Sequence, residues 1–240
     1  MDPSGYAARL GGLTPVVELV LEAARAAEAA TGVGIGVIIA ANRTKHPLEA
    51  RTLARLAAQY AGRGVIGFGL SNDERRGAAA DFAPAFRIAG RAGLLLTPHG
   101  GELAGPDSVR ACLDALGAHR IGHGVAAAAD TDLTKRLAAG GVTCEVCPTS
   151  NVALGVAAQP GDVPLRVLLG EGVPVALGAD DPLLFGSRLT AQYELARLAH
   201  GMDDAELAGL AAMSVRGSVA PPATAARLLA GIDAWLAAPG

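Results

Sequence analysis

The chain has 240 residues, 51% of them hydrophobic and 18% charged, with a net charge of -3 and a pI near 5.9. That length buries a substantial core, and the composition excludes a disordered chain. The slight negative charge removes nucleic acid and anionic membrane surfaces from the expected partners. Three cysteines, Cys112, Cys144 and Cys147, leave one unpaired, which fits a reducing compartment. The N-terminus, Met1-Asp2-Pro3-Ser4-Gly5, lacks the charged-then-apolar layout of a signal peptide. The longest apolar run, around Val33 to Ala41, is too short and too glycine-broken to span a bilayer. A cytoplasmic protein is the expectation.

In chain order, Leu13 to Ala30 has a helical pattern, with Thr14 as its cap and Pro15 at the first position. Residues 33–40 are a fully apolar strand. Pro47 to Tyr60 is a helix. Gly64 to Leu70 is a buried strand ending in Ser71-Asn72-Asp73-Glu74. Ala78 to Arg91 is helical, with a kink at Pro84. Ala92 to Leu96 is a strand that runs into Thr97-Pro98-His99-Gly100-Gly101-Glu102. A helix over Asp107–Leu116 leads to the strand Arg120–His123. A helix over Thr131–Ala139 leads to the strand Val142–Cys147. Leu165 to Gly170 is helical, and Val173 to Gly178 is a strand ending in Ala179-Asp180-Asp181-Pro182. Everything from Arg188 onward is helical.

A strand followed by a helix thus recurs roughly every 25 to 30 residues, about the size of one βα unit. Strands apolar on both faces belong in a parallel sheet covered by helices. The polar, acidic and histidine residues follow strands. This is the layout of a TIM-type (β/α)8 barrel, whose active site lies at the carboxyl ends of its strands. Only six strands are counted, so the reading is one incomplete α/β barrel domain over residues 1–240. A doubly wound sheet shares the strand-end rule, but no Gly-x-Gly-x-x-Gly follows a strand.

The strand ends collect Asn72-Asp73-Glu74, His99 and Glu102, His123, Cys147 to Asn151, and Asp180-Asp181. Two histidines, a glutamate and an aspartate pair suit a borderline divalent metal. Zinc with histidine and carboxylate ligands and an open position makes water acidic near neutral pH, and a neighbouring acid and base then complete a hydrolysis. Each piece has a plainer reading. Asp180-Asp181-Pro182 alone is a turn and helix cap. Asp73 and Glu74 before Arg75 and Arg76 read as a solvated charge cluster. His46, His119 and His200 are expected to be structural or superficial. Cys144 and Cys147, three apart in a strand, point to opposite faces and should share neither a metal nor a disulfide. Cys147 at the strand end is placed to line a pocket.

Taken together, His99-Gly-Gly-Glu102, Arg120-Ile-Gly-His123-Gly124, Glu145-Val-Cys-Pro-Thr-Ser-Asn151 and Gly178-Ala-Asp180-Asp181-Pro182 resemble the adenosine deaminase family of zinc amidohydrolases. The resemblance implies that His99 and Asp180 are zinc ligands. It implies that Glu102 protonates purine N1 and that His123 orients or deprotonates the attacking water. Asp181 would meet purine N7, and Asn72 would stand where the family has a glycine near purine N3. The implied reaction is hydrolytic deamination of a 6-aminopurine nucleoside to the 6-oxo product and ammonia, with Zn2+ as cofactor.

Two departures from the family pattern shape the expectations. The family opens with a strand carrying His-x-His, and this sequence contains no His-x-His. Two βα units are therefore expected to be missing at the N-terminus. Asn72 in place of the glycine leaves 6-amino-6-deoxyfutalosine as an alternative substrate. A reading of another class is an inactive remnant without its first zinc ligands.

Overall fold

The computed structural model describes residues 1–238. In chain order these form α1 (Ala7–Leu10), α2 (Leu13–Thr31), β1 (Val37–Asn42), α3 (Pro47–Gln59), β2 (Val65–Ser71), α4 (Ala83–Arg91), β3 (Leu95–Gly100) and α5 (Pro106–Leu116). There follow β4 (Arg120–His123), α6 (Thr131–Gly140), β5 (Thr143–Val146), α7 (Pro148–Ala153), α8 (Leu165–Gly170) and β6 (Val175–Leu177). The chain closes with α9 (Pro182–Phe185), α10 (Leu189–His200), α11 (Asp204–Arg216) and α12 (Pro222–Ala237). Six parallel strands alternating with helices are the βα units of an incomplete α/β barrel, the expected fold class. No helix of the described residues is long and apolar enough to cross a membrane.

The chain divides into two compact units. The first comprises Met1–His99 and Ala111–His119. In it β1 pairs with β2, and β2 with β3, all parallel, with Ala40 opposite Gly69 and Gly69 opposite Thr97. Its core is Val16, Val17 and Leu21 of α2, Ile39 of β1, Leu53 and Ala54 of α3, Phe68 and Leu70 of β2, and Phe82 and Phe86 around α4, all buried. Phe68 and Phe86 meet edge to face with ring centres 5.2 Å apart, an arrangement that adds about 0.5–1.5 kcal/mol to burial alone. The side chain of His46 accepts a hydrogen bond from the Leu48 N–H at 3.2 Å and so caps α3, with Pro47 at its first turn.

The second unit comprises Gly100–Arg110 and the chain from Arg120 onward. Here β4 pairs with β5, and β5 with β6, again parallel, with Gly122 opposite Glu145 and Glu145 opposite Ala176. Ile121, Leu133, Leu137, Cys144, Val146, Leu165, Leu168, Val175, Met202 and Leu210 are buried in its core. Asp130 caps α6 through the Leu133 N–H and also receives the Arg110 guanidinium. A reciprocal capping box, Asp203 with Glu206, opens α11.

Several boundaries differ from expectation, each for a physical reason. Thr14 does not cap α2. The helix begins at Leu13 behind Gly12, whose φ of 138° makes the turn. Residues 33–36 are not strand. Val33 and Ile35 are exposed, and β1 begins at Val37. A Cβ at Gly36 would lie 2.3 Å from Ile66, so that glycine marks a tight approach and not an extension of the strand. The third strand starts at Leu95, not Ala92, because Gly93 turns the chain with φ of 74°. It runs on through His99 to Gly100. The expected kink at Pro84 is a break: a 3-10 turn over Ala79–Phe82 precedes α4, which carries the proline in its first turn. The short helix α7 was not foreseen.

Candidate functional site

The second unit brings Glu102, His123 and Asp180 together. His123 ends β4, Glu102 follows the turn after β3, and Asp180 lies three residues beyond β6. A Glu102 carboxylate oxygen stands 3.3 Å from His123 Nε2, and the two side chains are 7% and 3% exposed. A buried carboxyl and imidazole at that distance are placed so that a proton can pass between them. The donor atoms of His123, Cys147 and Asp180 all lie within 4.8 Å of one another. Imidazole, thiol and carboxylate at such separations make a donor set suited to a borderline divalent cation.

The backbone is bent at these positions. Among the described residues, the non-glycine residues with positive φ are Asn72 (78°), His123 (66°) and Asp180 (56°). All three were singled out from sequence. Left-handed backbone is uncommon outside glycine, and Asn, Asp and His tolerate it best. The cost is of order 1–3 kcal/mol each, and it persists where the surroundings impose it. At His123 and Asp180 it turns the chain where the strand ends.

Cys147 lies just past β5, and it is buried. Burial first, then the carboxylates of Asp180, Glu145 and Glu102, push its thiol above the ordinary range, while the Asp180 N–H, bonded to the sulfur, opposes them. A Cβ on Gly178 would sit 2.9 Å from the Cys147 sulfur, so glycine lets the end of β6 pass it. Cys144, three residues earlier, is buried in the core instead, its thiol pushed up to about 12 by burial. All three cysteines are free thiols. The two cysteines of Cys144-x-x-Cys147 share no disulfide, as their opposite faces predicted, and only Cys147 reaches the site.

Asp181 is exposed and stands at the N-cap position of α9, where its side chain makes no capping hydrogen bond. The loop carrying the two aspartates is braced behind. Gln192 of α10, fully buried, donates to Ser187 Oγ at 2.6 Å and to Thr149 Oγ1 at 2.8 Å. It also accepts from the Thr149 N–H at 3.1 Å. Glu145 pairs with Arg120 at 2.5 Å, and Arg120 also donates to the Gly217 carbonyl. Glu145 is thus part of the scaffold.

In the first unit His99 lies at the carboxyl end of β3. Its carbonyl accepts from the Arg43 guanidinium at 2.6 Å and from the Cys112 thiol at 3.4 Å. Arg43 is only 2% exposed and follows β1; its own N–H donates to the Ser71 carbonyl of β2. One arginine therefore links the ends of three strands. Asn72 is exposed. Asp73 forms a superficial pair with Arg75 at 2.8 Å, as the charge-cluster reading expected, but Glu74 is buried. Arg43 and Gln192 were missed from sequence, as was the burial of Glu74, which read there as part of a solvated charge cluster. Their signal was weak: single polar residues beside an apolar run, with no spacing to mark them. His119 accepts from the Leu96 N–H through Nδ1 at 3.1 Å, and the His200 carbonyl receives Arg166. With the capping role of His46, all three remaining histidines are structural.

The family model for adenosine deaminase matches residues 1–235. A putative adenosine/adenine deaminase of Streptomyces virginiae is 66% identical over 98% of this chain and 70% of its own length. The adenine deaminase of Rhizobium leguminosarum bv. trifolii is 40% identical over 92% of this chain and 69% of its own. Among solved structures, an adenine deaminase from Arthrobacter aurescens superposes with a TM-score of 0.91 at 32% identity, covering 99% of this chain and 72% of that one. The chain spans about 70% of the length of these relatives. With the four motifs on their strand ends and a match along nearly its whole length, this chain belongs to the adenosine deaminase family.

Proposed function

We propose that this chain carries the site of a hydrolytic deaminase of 6-aminopurines, with adenine, the free base, ahead of its nucleoside. The observation that carries the reading is the buried Glu102–His123 pair at 3.3 Å beside Asp180. An acid, a base and metal donors at one place are what hydrolysis of an amidine needs.

Asp180 would be a ligand of a zinc ion in this reading, and the His123–Cys147–Asp180 donor set fits such an ion. When bound, the metal supplies Lewis acidity, which makes water a competent nucleophile near neutral pH. The chain's own residues do the rest. Glu102 delivers a proton to ring N1 as water adds at C6, so that the ring need not carry full negative charge. His123 orients the attacking water and takes its proton. Asp181 meets N7 and fixes which carbon faces His123. His123 passes that proton to the amino group, which leaves as ammonia, and the added hydroxyl returns a proton to Glu102 as the 6-oxo product forms. Burial of Glu102 and His123 excludes bulk water and strengthens each of these charge interactions.

The nucleoside was the expectation from sequence. Two observations favour the free base. Relatives at 40% and 32% identity are named adenine deaminases. Asn72, at the position expected to face the sugar side, carries a side chain where the family pattern has glycine, on backbone with φ of 78°. The test is ammonia release by zinc-supplemented protein from adenine, adenosine and aminodeoxyfutalosine in parallel. Faster release from adenine is expected. Faster release from adenosine reverses the substrate assignment, and release only from aminodeoxyfutalosine overturns it.

A further inference from the structure

We propose that the groove between α10, α11 and α12 binds a small dipolar ligand, an α-amino acid with a large apolar side chain. The groove is a cavity of about 570 Å³ within the second unit, in the size range of small-molecule sites. Tyr193 and Glu194 of α10 form one wall, Leu207 of α11 lies in the floor, and Arg227, Leu228 and Trp235 of α12 form the other wall. No residue of α12 is buried, and the indole of Trp235 is left 52% exposed.

Charge decides the occupant. Arg197, which also lines the groove, pairs with Asp204 of α11. Among the described residues, the side chains of Glu194 and Arg227 form no hydrogen bond or ion pair. Short loops join α10 to α11 and α11 to α12, so α11 runs against both of its neighbours. Counted from those loops along helices that rise about 1.5 Å per residue, Glu194 and Arg227 stand level across the groove to within about one residue. An acid and a guanidinium that are level but unpaired leave a gap for one ligand carrying both charges. The α-carboxylate meets the two-pronged Arg227 guanidinium, and the α-ammonium meets Glu194. The apolar side chain packs on Trp235, Leu228 and Leu207. A lone anion would face Glu194, and a lone cation would face Arg227. Binding here makes and breaks no covalent bond, and it stands independently of the deaminase reading.

The experiment is a titration of the purified chain with L-phenylalanine, followed by calorimetry and by the emission of Trp235, the single tryptophan of the chain. The expected result is saturation at one phenylalanine per chain, with phenylalanine amide and N-acetylphenylalanine each bound at least about 10-fold more weakly. In Arg227→Gln the amide should bind as well as phenylalanine, and in Glu194→Gln the N-acetyl form should do so. Both residues are exposed, so the variants should fold. A preference for the free amino acid that persists in both variants overturns the site. So does the absence of heat and of emission change up to about 10 mM phenylalanine. Should a variant fail to fold, the NMR shift of the Trp235 indole N–H in the wild-type chain decides. A shift with phenylalanine and none with its amide or N-acetyl form supports the site, and equal shifts with all three overturn it. Emission that moves with protein concentration alone, in a chain that sediments as a dimer, gives the groove to a second copy and overturns the small ligand.

Discussion

The two units use the same architecture for different ends. Both set parallel strands side by side and turn the chain with polar residues at the strand ends. In the first unit several of those polar groups are spent on the backbone. Arg43 donates to the His99 carbonyl, Asn42 accepts from the Thr44 N–H at 2.9 Å, and Asp73 accepts from the Arg75 N–H at 3.1 Å. In the second unit side chains face each other: Glu102 with His123, and His123 with Cys147 and Asp180. In the first unit these bonds fix strand ends, and in the second titratable side chains gather at them. A strand-end polar residue is therefore not a site residue by position alone. What marks the second group is a buried carboxyl and imidazole side by side with further donors, unlike the carboxylate–guanidinium pairs Asp73–Arg75 and Glu145–Arg120, which serve the scaffold.

Four perturbations sharpen or break that contrast, from the largest expected effect to the smallest. Asp180→Asn removes a charged donor from the second unit. It should weaken zinc binding by at least about 100-fold, since even outer partners of a metal site are worth 10–100-fold; equilibrium dialysis measures this, and unchanged affinity would take Asp180 out of the site. Arg43→Met attacks the frame instead. It leaves the partly buried His99 carbonyl without its charged donor and should cost about 2 kcal/mol in urea unfolding. A loss under about 0.5 kcal/mol would mean that the three strand ends do not depend on Arg43.

Gln192→Leu removes three hydrogen bonds of a fully buried side chain behind the aspartate loop. It should cost about 1–2 kcal/mol of stability, and the aspartate loop should become more open to proteolysis in limited digestion. The smallest effect concerns pH. Asp130 is held below the ordinary carboxylate range, chiefly by Arg110 and then by the Leu133 N–H. Its folded pKa lies below its unfolded one, so its contribution is present above about pH 4 and is lost as pH falls through the folded value. Acid unfolding curves of wild type and Asp130→Asn should therefore converge at low pH. Curves that stay equally separated would remove Asp130 from the acid response.

Much of the fold was legible in the sequence because parallel strands buried on both faces write themselves as short apolar runs. Arg120–His123 and Leu165–Gly170 agree with the structure to the residue. The errors fell where glycine decided the local turn, at Gly12, Gly36 and Gly93, since an apolar run with glycine looks the same inside a strand and before it. In the second unit, Glu102, His123 and Asp180 were legible through motif order, and the structure gathers them. The proximity of Cys147 to His123 and Asp180 was only half legible, because spacing placed the sulfur at a strand end but not its neighbours. Arg43 and Gln192 were not legible at all. Their roles are set by which distant chain segments they meet, and a single sequence carries no trace of that.

The central claim is that the Glu102–His123 pair moves protons during deamination of a 6-aminopurine. The most direct test is ammonia release from adenine by zinc-loaded wild type and Glu102→Gln, with unfolding curves taken on both. Glu102→Gln keeps shape and burial and removes only the proton. The expected result is a fall in kcat of about 10²–10⁴-fold, the range of general acid–base catalysis, with stability unchanged within about 1 kcal/mol. Equal turnover in the two proteins, or none in zinc-loaded wild type, would contradict the account.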